Sequence, residues 1–319
     1  MEEFDLIRNY FSKLAKNNRS ALNLNDDVFF DKKKELVISV DTYNEGVHFP
    51  DFNYPHLVIK KILRSSISDL ICKGVKPKYY FVSGSGSKEK FSKNNLSKIS
   101  SSLKEEQKKY EIMICGGDTT FSKKLSFTII TVGFSKEIIY RNNAKVKDDI
   151  YITGNIGDSY VGLQILKKQI KVNKKESDYF INEFYKPNIQ YKIAKKLLQF
   201  SNSSIDVSDG LFDDLEKLIN KQKINYYLRF DKIPVSKPFQ LLVRQTKIDK
   251  INSVSKGDDY QILFTANKNK SRIIKNISNK FSVKITKIGE ILPSFQKSKI
   301  IDKNGNIIAL KNKGYIHQF

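Results

Sequence analysis

Residues 204–215 combine acidic, hydroxyl and glycine residues where a strand-like segment gives way to a helical one. Ser208, Asp209 and Gly210 form its centre, and Asp206 precedes them by two positions. Glycine lets the backbone turn tightly, and a helix N-terminus presents unpaired N–H groups to anions. Carboxylates beside such a turn can hold the hard cation that accompanies a nucleotide. The same residues also suit an ordinary helix N-cap, so this stretch alone leaves both interpretations open.

Similar acidic or glycine-bearing turns recur along the chain, each predicted to follow a hydrophobic strand. They comprise residues 26–27, 39–42, 68–70, 116–120, 154–159 and 205–211. The chain has only 34 acidic against 57 basic residues, so repeated carboxylates at strand ends indicate convergence on metal ions. Hard oxygen ligands without histidine or cysteine partners select Mg²⁺ or Ca²⁺ over zinc.

Two familiar signatures of phosphoryl transfer are missing from the sequence. It contains neither the Gly-x-x-x-x-Gly-Lys-Ser/Thr run of a P-loop nor the His-Arg-Asp and Asp-Phe-Gly pair of protein kinases. A phosphoryl-transfer site in this chain must therefore rely on metals. In-line transfer needs mainly positioning and neutralisation of the charge on phosphate oxygens, so metals held by carboxylates are sufficient.

Length and composition predict a folded protein with two domains. The chain has 319 residues, of which 39% are hydrophobic and 12% aromatic. No apolar run approaches the roughly 18–20 residues that span a bilayer, and the acidic N-terminus differs from a signal peptide. We therefore expect a cytoplasmic protein without membrane association. Cys72 and Cys115 occur without a Cys-x-x-Cys motif and are predicted to be buried or free thiols.

The net charge of +23 raises the alternative of a nucleic-acid-binding module. However, only seven of the 57 basic residues are arginines. Nucleic-acid readers favour the planar guanidinium of arginine, whereas these lysines are spread over surface-like segments. The composition favours a solvated basic surface that can draw anionic substrates toward a cleft, with no specific nucleic-acid partner.

Apolar periodicity predicts an α/β fold with mixed sheets. In the first half, the predicted helices span residues 4–17, 56–74 and about 96–110, and the strands 36–40, 79–82, 112–115, 125–132 and, less regularly, 137–140. The first two helices are expected to pack on a sheet. A polar segment at 142–147 separates predicted domains at residues 1–144 and 145–319. In the second half, strands are expected at 149–153, 225–230, 260–265 and 283–290, and helices at 159–168, 177–200 and 210–222.

In their order and amino-acid sequence, these motifs resemble those of the thiamine-monophosphate kinase family over nearly the whole chain. The matching segments are residues 3–11, 39–49 (Ser-Val-Asp-Thr-Tyr-Asn-Glu-Gly-Val-His-Phe), 67–70, 116–120, 151–159, 205–211, 257–260 and 313–315. That family belongs to the aminoimidazole ribonucleotide synthetase superfamily. The resemblance implies two α/β domains, a homodimer formed through the N-terminal sheets, and ATP in the cleft so formed.

The resemblance also implies roles for individual residues. The implied ligands of several Mg²⁺ ions are Asp27, Ser39, Asp41, Asp69, Asp118, Asp206 and Asp209. The implied ATP contacts are Tyr110, Gly117, Asp118, Arg141 and Ser208. The implied contacts with thiamine monophosphate are His48, Asp258 and Tyr315. An acid there can compensate the thiazolium cation, and an aromatic face can stack on a thiamine ring.

Ordinary structural roles stay open for several of these residues. Asp69 can cap a helix and Asp26 can be structural, because turns and caps favour aspartate. Arg141 can form a surface salt bridge instead of binding phosphate. His48 and Tyr315 can simply contribute to packing.

Two departures from the family pattern are visible. The Gly-Ile-Gly-Asp-Asp turn reads Asn-Leu-Asn-Asp-Asp at residues 23–27, although asparagine tolerates left-handed backbone well. The Gly-Glu-Asp-Tyr motif reads Gly-Asp-Asp-Tyr at residues 257–260, which shortens the substrate-facing acid by one methylene. The second departure affects the substrate contact more than the ATP site.

The resemblance predicts that the terminal phosphate of thiamine monophosphate attacks the γ-phosphorus of ATP in line, giving thiamine diphosphate and ADP. No protein nucleophile is expected, because a phosphate monoester is already largely ionised near neutral pH. The alternatives are another ATP-using enzyme of the same superfamily, a basic nucleic-acid-binding protein, or an ATP-binding scaffold without activity.

Overall fold

Two mixed six-stranded sheets form the framework in a computed structural model, which describes residues 3–310 and 314–315. The first sheet has the order β1-β2-β6-β3-β4, with β5 beside β3. Its strands are β1 Phe29–Asp31, β2 Leu36–Asn44, β3 Pro77–Gly86, β4 Met113–Gly116, β5 Thr119–Phe121 and β6 Ser126–Phe134. Strands β4 and β5 pair with β3 in parallel, and the other pairs are antiparallel.

The helices of the first half are α1 Glu3–Leu6, α2 Pro55–Cys72 and α3 Lys93–Tyr110. Helix α2 begins with a proline, which lacks only an N–H that the first turn leaves unpaired anyway. Most of its apolar residues are buried, and the helix packs against β2 and β6. Arg64 of α2 donates to both carboxylate oxygens of Glu106 of α3, at 2.7 and 2.8 Å. This buried pair fixes α3 beside α2.

The second sheet has the order β12-β9-β11-β7-β10-β8. Its strands are β7 Asp149–Thr153, β8 Ser201–Asp206, β9 Ile224–Arg229, β10 Ile262–Ala266, β11 Ile285–Pro293 and β12 Lys299–Ile301. Only β12 pairs in parallel, with β9. Every residue of β7 and of β10 is buried, as expected for central strands covered on both faces.

Seven helices accompany the second sheet in the described ranges. They are α4 Asp158–Leu166, α5 Lys174–Tyr185, α6 Ala194–Leu197, α7 Leu211–Ile219, α8 Lys237–Arg244, α9 Lys250–Val254 and α10 Ser271–Phe281. No helix within the described part of the chain has the length and apolar character needed to cross a membrane.

Helix α2 lies between the two sheets and contacts both. Lys73, which follows its last turn, donates to the carbonyl oxygen of Ser204 in β8 at 2.7 Å. The Ser204 hydroxyl donates back to the carbonyl oxygen of Cys72 at 2.5 Å. One buried apolar cluster includes Ile62 of α2 and Phe264 of β10. The end of α2 therefore brings residues of the first sheet close to the end of β8.

The structure confirms the predicted mixed α/β class and most of the predicted elements. The helices expected at 56–74 and 96–110 correspond to α2 and α3, and the four strands expected between 36 and 132 correspond to β2, β3, β4 and β6. Cys72 is buried, Cys115 is exposed, and both are free thiols as predicted.

The predicted N-terminal helix over residues 4–17 is wrong in extent and in packing. Helical structure ends after α1 and a turn of π-helix, Ile7–Phe11, and the side chains of Tyr10 and Leu14 are exposed. The hydroxyl of Ser12 donates to the carbonyl oxygens of Ile7 and Arg8. Such side-chain bonds compete with the helical pattern.

Two other elements differ from the prediction. The helix expected over 177–200 is interrupted after α5, because Pro187 lacks an N–H and disfavours helical backbone in the residue before it. The strand expected at 137–140 is an extended segment outside both sheets. Its backbone bonds go elsewhere, since Ile139 donates to the Lys73 carbonyl and Tyr140 accepts from the Ser203 hydroxyl.

The prediction that each acidic turn follows a strand is wrong for three of them. Residues 26–27 precede β1, residues 39–42 lie within β2, and residues 68–70 lie in the last turn of α2. The physical reason for the last case is that α2 is buried around most of its surface, so the short apolar runs within it resemble a buried strand.

Candidate active site

A cleft of about 580 Å³ is lined by residues from both halves of the chain. Eight residues with predicted roles line it, and they come from segments far apart in sequence. They are Asp41, His48, Asp69, Asp206, Ser208, Asp209, Asp258 and Tyr315. The fold thus brings together predicted metal, nucleotide and substrate residues in one cavity.

Three carboxylates converge in this cleft. Asp41 lies on β2, Asp69 in the last turn of α2, and Asp206 at the end of β8. Burial raises the pKa of Asp69 well above its ordinary value, and the charges of Asp41 and Asp206 raise it further. Burial likewise raises the pKa of Asp206, and that of Asp41 to about 6. The ionised cluster is electrostatically unfavourable alone, and a divalent cation would offset this repulsion.

Two serine hydroxyls hold the carboxylates in place. Ser39 of β2 donates to the carboxylate of Asp69, and Ser68 of α2 donates to the carboxylate of Asp206. The helix thereby carries one of these acids and orients another. The alternative that Asp69 caps a helix start is wrong, because it lies near the end of α2.

Tyr43 supports the third carboxylate. Its hydroxyl lies 3.2 Å from Asp41 Oδ2 and 2.9 Å from the hydroxyl of Ser66 on α2. Ser39, Asp41 and Tyr43 alternate along β2, so their side chains project to the same face of the sheet. The period of a strand thus places all three toward α2 and the cleft.

A buried ion-pair network adjoins the carboxylate cluster. The Lys73 ammonium lies 2.7 Å from Asp26 Oδ1 and 2.5 Å from Asp27 Oδ2. The Arg141 guanidinium also pairs with Asp27, and the Arg141 backbone N–H donates to Asp26 at 2.9 Å. Carboxylate oxygens of Asp27 and Asp206 lie within 4.8 Å of each other. Arg141 therefore forms a largely buried pair rather than the surface salt bridge considered above, and its nucleotide role stays a prediction.

The junction between β8 and α7 has the tight turn that the sequence predicts. Gly210 has φ of +132°, and a Cβ there would lie 2.1 Å from the carbonyl oxygen of Ser255, so the position requires glycine. Asp214 Oδ2 accepts the backbone N–H groups of Asp209 and Gly210, each at 3.0 Å. Gly210 occupies the N-cap position of α7 without a side-chain cap, so the N-cap interpretation of Ser208 and Asp209 is wrong, and Asp214 instead fixes the turn that precedes the helix. Burial raises its pKa to about 8.

Lys217 of α7 lies among three carboxylates at this junction. Its ammonium is 2.5 Å from Asp209 Oδ2, 2.7 Å from Asp213 Oδ2 and 3.4 Å from Asp214 Oδ1. Burial opposes the charged form, yet these carboxylates raise the pKa of Lys217 above its ordinary value. The sequence contains a signal for this contact, because positions 213 and 217 are four residues apart on a helix.

The three residues predicted to bind the substrate, His48, Asp258 and Tyr315, also line the cleft. His48 Nδ1 accepts the backbone N–H of Asn44 at 2.9 Å, and its ring meets Tyr43 edge-on at 5.5 Å between centroids. The backbone N–H of Tyr315 donates to the carbonyl oxygen of Asp209 at 2.8 Å, and the residue is 47% exposed. Tyr315 is thus anchored by its backbone while it borders the cleft.

Asp258 is held in an unusual backbone conformation beside the β8–α7 junction. It has φ of +65°, and its N–H donates to the carbonyl oxygen of Ser208 at 2.8 Å. Its carboxylate oxygen Oδ1 lies 2.7 Å from the Lys61 ammonium and accepts the hydroxyl of Tyr260 at 2.8 Å. Lys61 is wholly buried, and no sequence motif indicates its role.

Four predicted nucleotide residues do not line this cleft in the described part of the chain: Arg141, which belongs to the ion-pair network, and Tyr110, Gly117 and Asp118. Gly117 and Asp118 are exposed between β4 and β5, and a Cβ on Gly117 would lie 1.7 Å from the carbonyl oxygen of Val82. Tyr110 is buried at the end of α3, where its ring meets Tyr191 edge-on at 5.6 Å. Their predicted roles stay predictions.

Comparisons with known proteins show to which fold class the chain belongs. The family model of AIR synthase related protein, N-terminal domain, matches residues 24–135. A solved structure described as AaThiL complexed with AMPPCP and TMP has a TM-score of 0.85 to this chain. It is 24% identical and covers 99% of this chain and 97% of its own. The chain therefore has the two-sheet fold of the proteins related to AIR synthase.

Curated relatives identify the family within this class. The thiamine-monophosphate kinase of Buchnera aphidicola subsp. Acyrthosiphon pisum is 33% identical over 99% of this chain and 98% of its own length. The thiamine-monophosphate kinase of Escherichia coli is 29% identical over 99% of this chain and 98% of its own. The chain belongs to the thiamine-monophosphate kinase family, which confirms the resemblance seen in the motifs.

Proposed function

We propose that this chain catalyses the ATP-dependent phosphorylation of thiamine monophosphate to thiamine diphosphate, in the cytoplasm and with Mg²⁺. The observation that carries the proposal is the convergence of Asp41, Asp69 and Asp206 in one cleft, where burial raises all three pKa values and neighbouring carboxylates of the cluster raise those of Asp41 and Asp69 further. Such a cluster suits a hard cation and, with it, the phosphates of a nucleotide. Membership of the thiamine-monophosphate kinase family supports the choice of acceptor.

The proposed metal ligands fit Mg²⁺ by their chemistry. They are all oxygen donors: the carboxylates of Asp27, Asp41, Asp69, Asp118, Asp206 and Asp209, and the hydroxyl of Ser39. When bound, Mg²⁺ neutralises charge on the phosphate oxygens and so reduces the repulsion between two anionic substrates. Lys73 and Arg141 already compensate Asp27, so we assign the stronger metal contacts to the three cleft carboxylates.

The reaction needs no covalent step on the protein. The terminal phosphate of thiamine monophosphate attacks the γ-phosphorus in line, the bond to the β,γ-bridging oxygen breaks, and ADP leaves. Ser208 and the N-terminus of α7 are proposed to orient the nucleotide, together with Gly117, Asp118, Tyr110 and Arg141. His48, Asp258 and Tyr315 are proposed to orient the acceptor. These contacts supply positioning, which is the main requirement of phosphoryl transfer.

We also propose a homodimer formed by the first sheet. Val40, Ile130 and Phe81 lie directly opposite one another across β2, β6 and β3, so they share one face of the sheet. Val40 is 59% exposed, and its neighbour Asp41 projects to the other face, toward the cleft. An exposed apolar sheet face of this kind suits an interface between two copies. The division into domains at residues 1–144 and 145–319 is part of the same proposal.

The proposal is tested by incubating the purified protein with ATP, MgCl₂ and thiamine monophosphate. Thiamine diphosphate is quantified by oxidation to its fluorescent thiochrome derivative and chromatography, and ADP by a coupled assay. We expect equal amounts of both products, and neither when EDTA replaces MgCl₂. ATP binding without thiamine diphosphate would instead support an inactive scaffold.

A further inference from the structure

The Lys61 side chain is buried in the protein yet reaches the substrate side of the cleft. The residue is 0% exposed and lies on α2, whereas Asp258 is 26% exposed at its side chain and lines the cleft. The two are separated by 2.7 Å between Nζ and Oδ1. A buried ammonium ion is strongly unfavourable unless it is paired, so Lys61 ties the Asp258 carboxylate to α2.

The remaining surroundings of the Lys61 ammonium are aromatic. It lies 4.0 Å from the centroid of the Phe184 ring and 5.6 Å from that of Tyr260. The cation–π contacts favour the charged form, but the only carboxylate recorded within ion-pair distance among the described residues is that of Asp258. Loss of this charge would therefore affect Asp258 more directly than any other acid.

The contacts with Asp258 are divided unequally between its two oxygens. Oδ1 meets the Lys61 ammonium and accepts the Tyr260 hydroxyl at 2.8 Å. The backbone is fixed as well, because the Asp258 N–H donates to Ser208 and φ is +65°. Within residues 3–310 and 314–315, the ion pair and the hydrogen bond of this carboxylate both involve Oδ1, so Oδ2 is the oxygen that can meet a ligand in the cleft.

We infer that Lys61 is a positioning residue for the acceptor substrate: it holds Asp258 so that one carboxylate oxygen faces a cationic or amine-bearing group in the cleft. The inference rests on the proposed function and deepens it. The pair has no net charge, so Asp258 recognises this group through a directed contact rather than through long-range attraction. Asp258 is one methylene shorter than the glutamate of the family motif. The position of its carboxylate therefore depends more on the contact with Lys61.

The test is Lys61→Met, which keeps the length of the side chain and removes its charge. We expect the KM for thiamine monophosphate to rise about tenfold or more, because Asp258 without its ion-pair partner loses its directed hydrogen bond to the cationic group of the ligand. The KM for ATP and the kcat at saturating substrates should change less than about threefold. Lys60→Met is the matched control, because Lys60 neighbours it on α2 but pairs with the exposed Glu105.

A double variant keeps the test valid if Lys61→Met does not fold. Asp258→Asn with Lys61→Met removes both charges and leaves no unpaired ion, so it is expected to fold. If Lys61 acts through Asp258, this double variant and Asp258→Asn alone will have the same KM for thiamine monophosphate. A further rise in the double variant would overturn the inference, and so would an unchanged KM in a folded Lys61→Met protein.

Different experimental outcomes would contradict the role of Lys61 and the proposed function. Wild-type protein that forms thiamine diphosphate, together with an unaffected Lys61→Met variant, would overturn the role of Lys61 alone. Folded wild-type protein that forms none would overturn both. A loss of thermal stability with unchanged KM would show that Lys61 has only a structural role.

Discussion

The hydroxyl of Ser68 donates a hydrogen bond to the carboxylate of Asp206, although the two residues are 138 positions apart in the chain. The next residue along α2, Asp69, accepts a hydrogen bond from Ser39 of the first sheet. One helical turn therefore fixes acids from both halves of the protein relative to each other. This arrangement is the basis for the proposed metal site.

Removing one charge from the carboxylate cluster should have opposite effects on turnover and on thermal stability. We expect Asp69→Asn to lower turnover about a hundredfold or more, because charge stabilisation of the phosphates is lost. Without Mg²⁺, its melting temperature should equal or exceed that of the wild type, since repulsion with Asp41 and Asp206 is reduced. Steady-state kinetics measure the turnover, and differential scanning fluorimetry with and without MgCl₂ measures the melting temperature. Exposed Asp178 supplies the control Asp178→Asn, and a full Mg²⁺-dependent shift in Asp69→Asn would contradict the assignment.

The pH dependence follows from the pKa of Asp41, which burial raises from 3.8 to about 6. The folded protein thus binds this proton more tightly than the unfolded chain does. The stabilising contribution of protonated Asp41 is complete below about pH 4 and is lost as pH rises toward 6. Mg²⁺ needs the ionised form, so the Mg²⁺-induced rise in melting temperature should grow from pH 5 to pH 7. A constant rise over this range would contradict the prediction.

Lys217 should be important for the stability of the β8–α7 junction. Lys217→Met leaves Asp209, Asp213 and Asp214 without their shared cation, and breaking such a buried pair costs about 3–5 kcal/mol. Urea unfolding, monitored by circular dichroism, would measure this loss in the free energy of unfolding. The exposed Lys221, just beyond α7, provides the control Lys221→Met. Equal stability of the two variants would show that the three contacts contribute little.

The proposed dimer can be tested on the open face of the first sheet. A charge at Val40 would be placed in the interface, so Val40→Asp should convert the dimer into a folded monomer. Light scattering coupled to size-exclusion chromatography measures the mass. Leu241 of α8 is similarly exposed, at 49%, and Leu241→Asp should remain dimeric. A monomeric wild type would argue against the dimer.

Much of this site follows from the sequence, but its buried lysines Lys61 and Lys73 do not. The alternation along β2 and the glycine turn before α7 are local patterns that contain or adjoin Asp41 and Asp206, and Asp69 lies in a helix that apolar periodicity predicts. Lys61 and Lys73 are both 0% exposed, yet nothing local distinguishes them from the many surface lysines of this chain. Their burial depends on α2 lying between two sheets, which is a tertiary property. The same limit explains the N-terminal segment, whose apolar periodicity predicts a packed helix although Tyr10, Phe11 and Leu14 are exposed.

Direct transfer of the terminal phosphate of ATP to thiamine monophosphate is the central claim, and radiolabelled ATP tests it most directly. In a single turnover with [γ-³²P]ATP, Mg²⁺ and thiamine monophosphate, we expect the label to appear in the β-phosphate of thiamine diphosphate. No label should remain on the denatured protein. Label released only as inorganic phosphate, or retained covalently on the chain, would contradict the account.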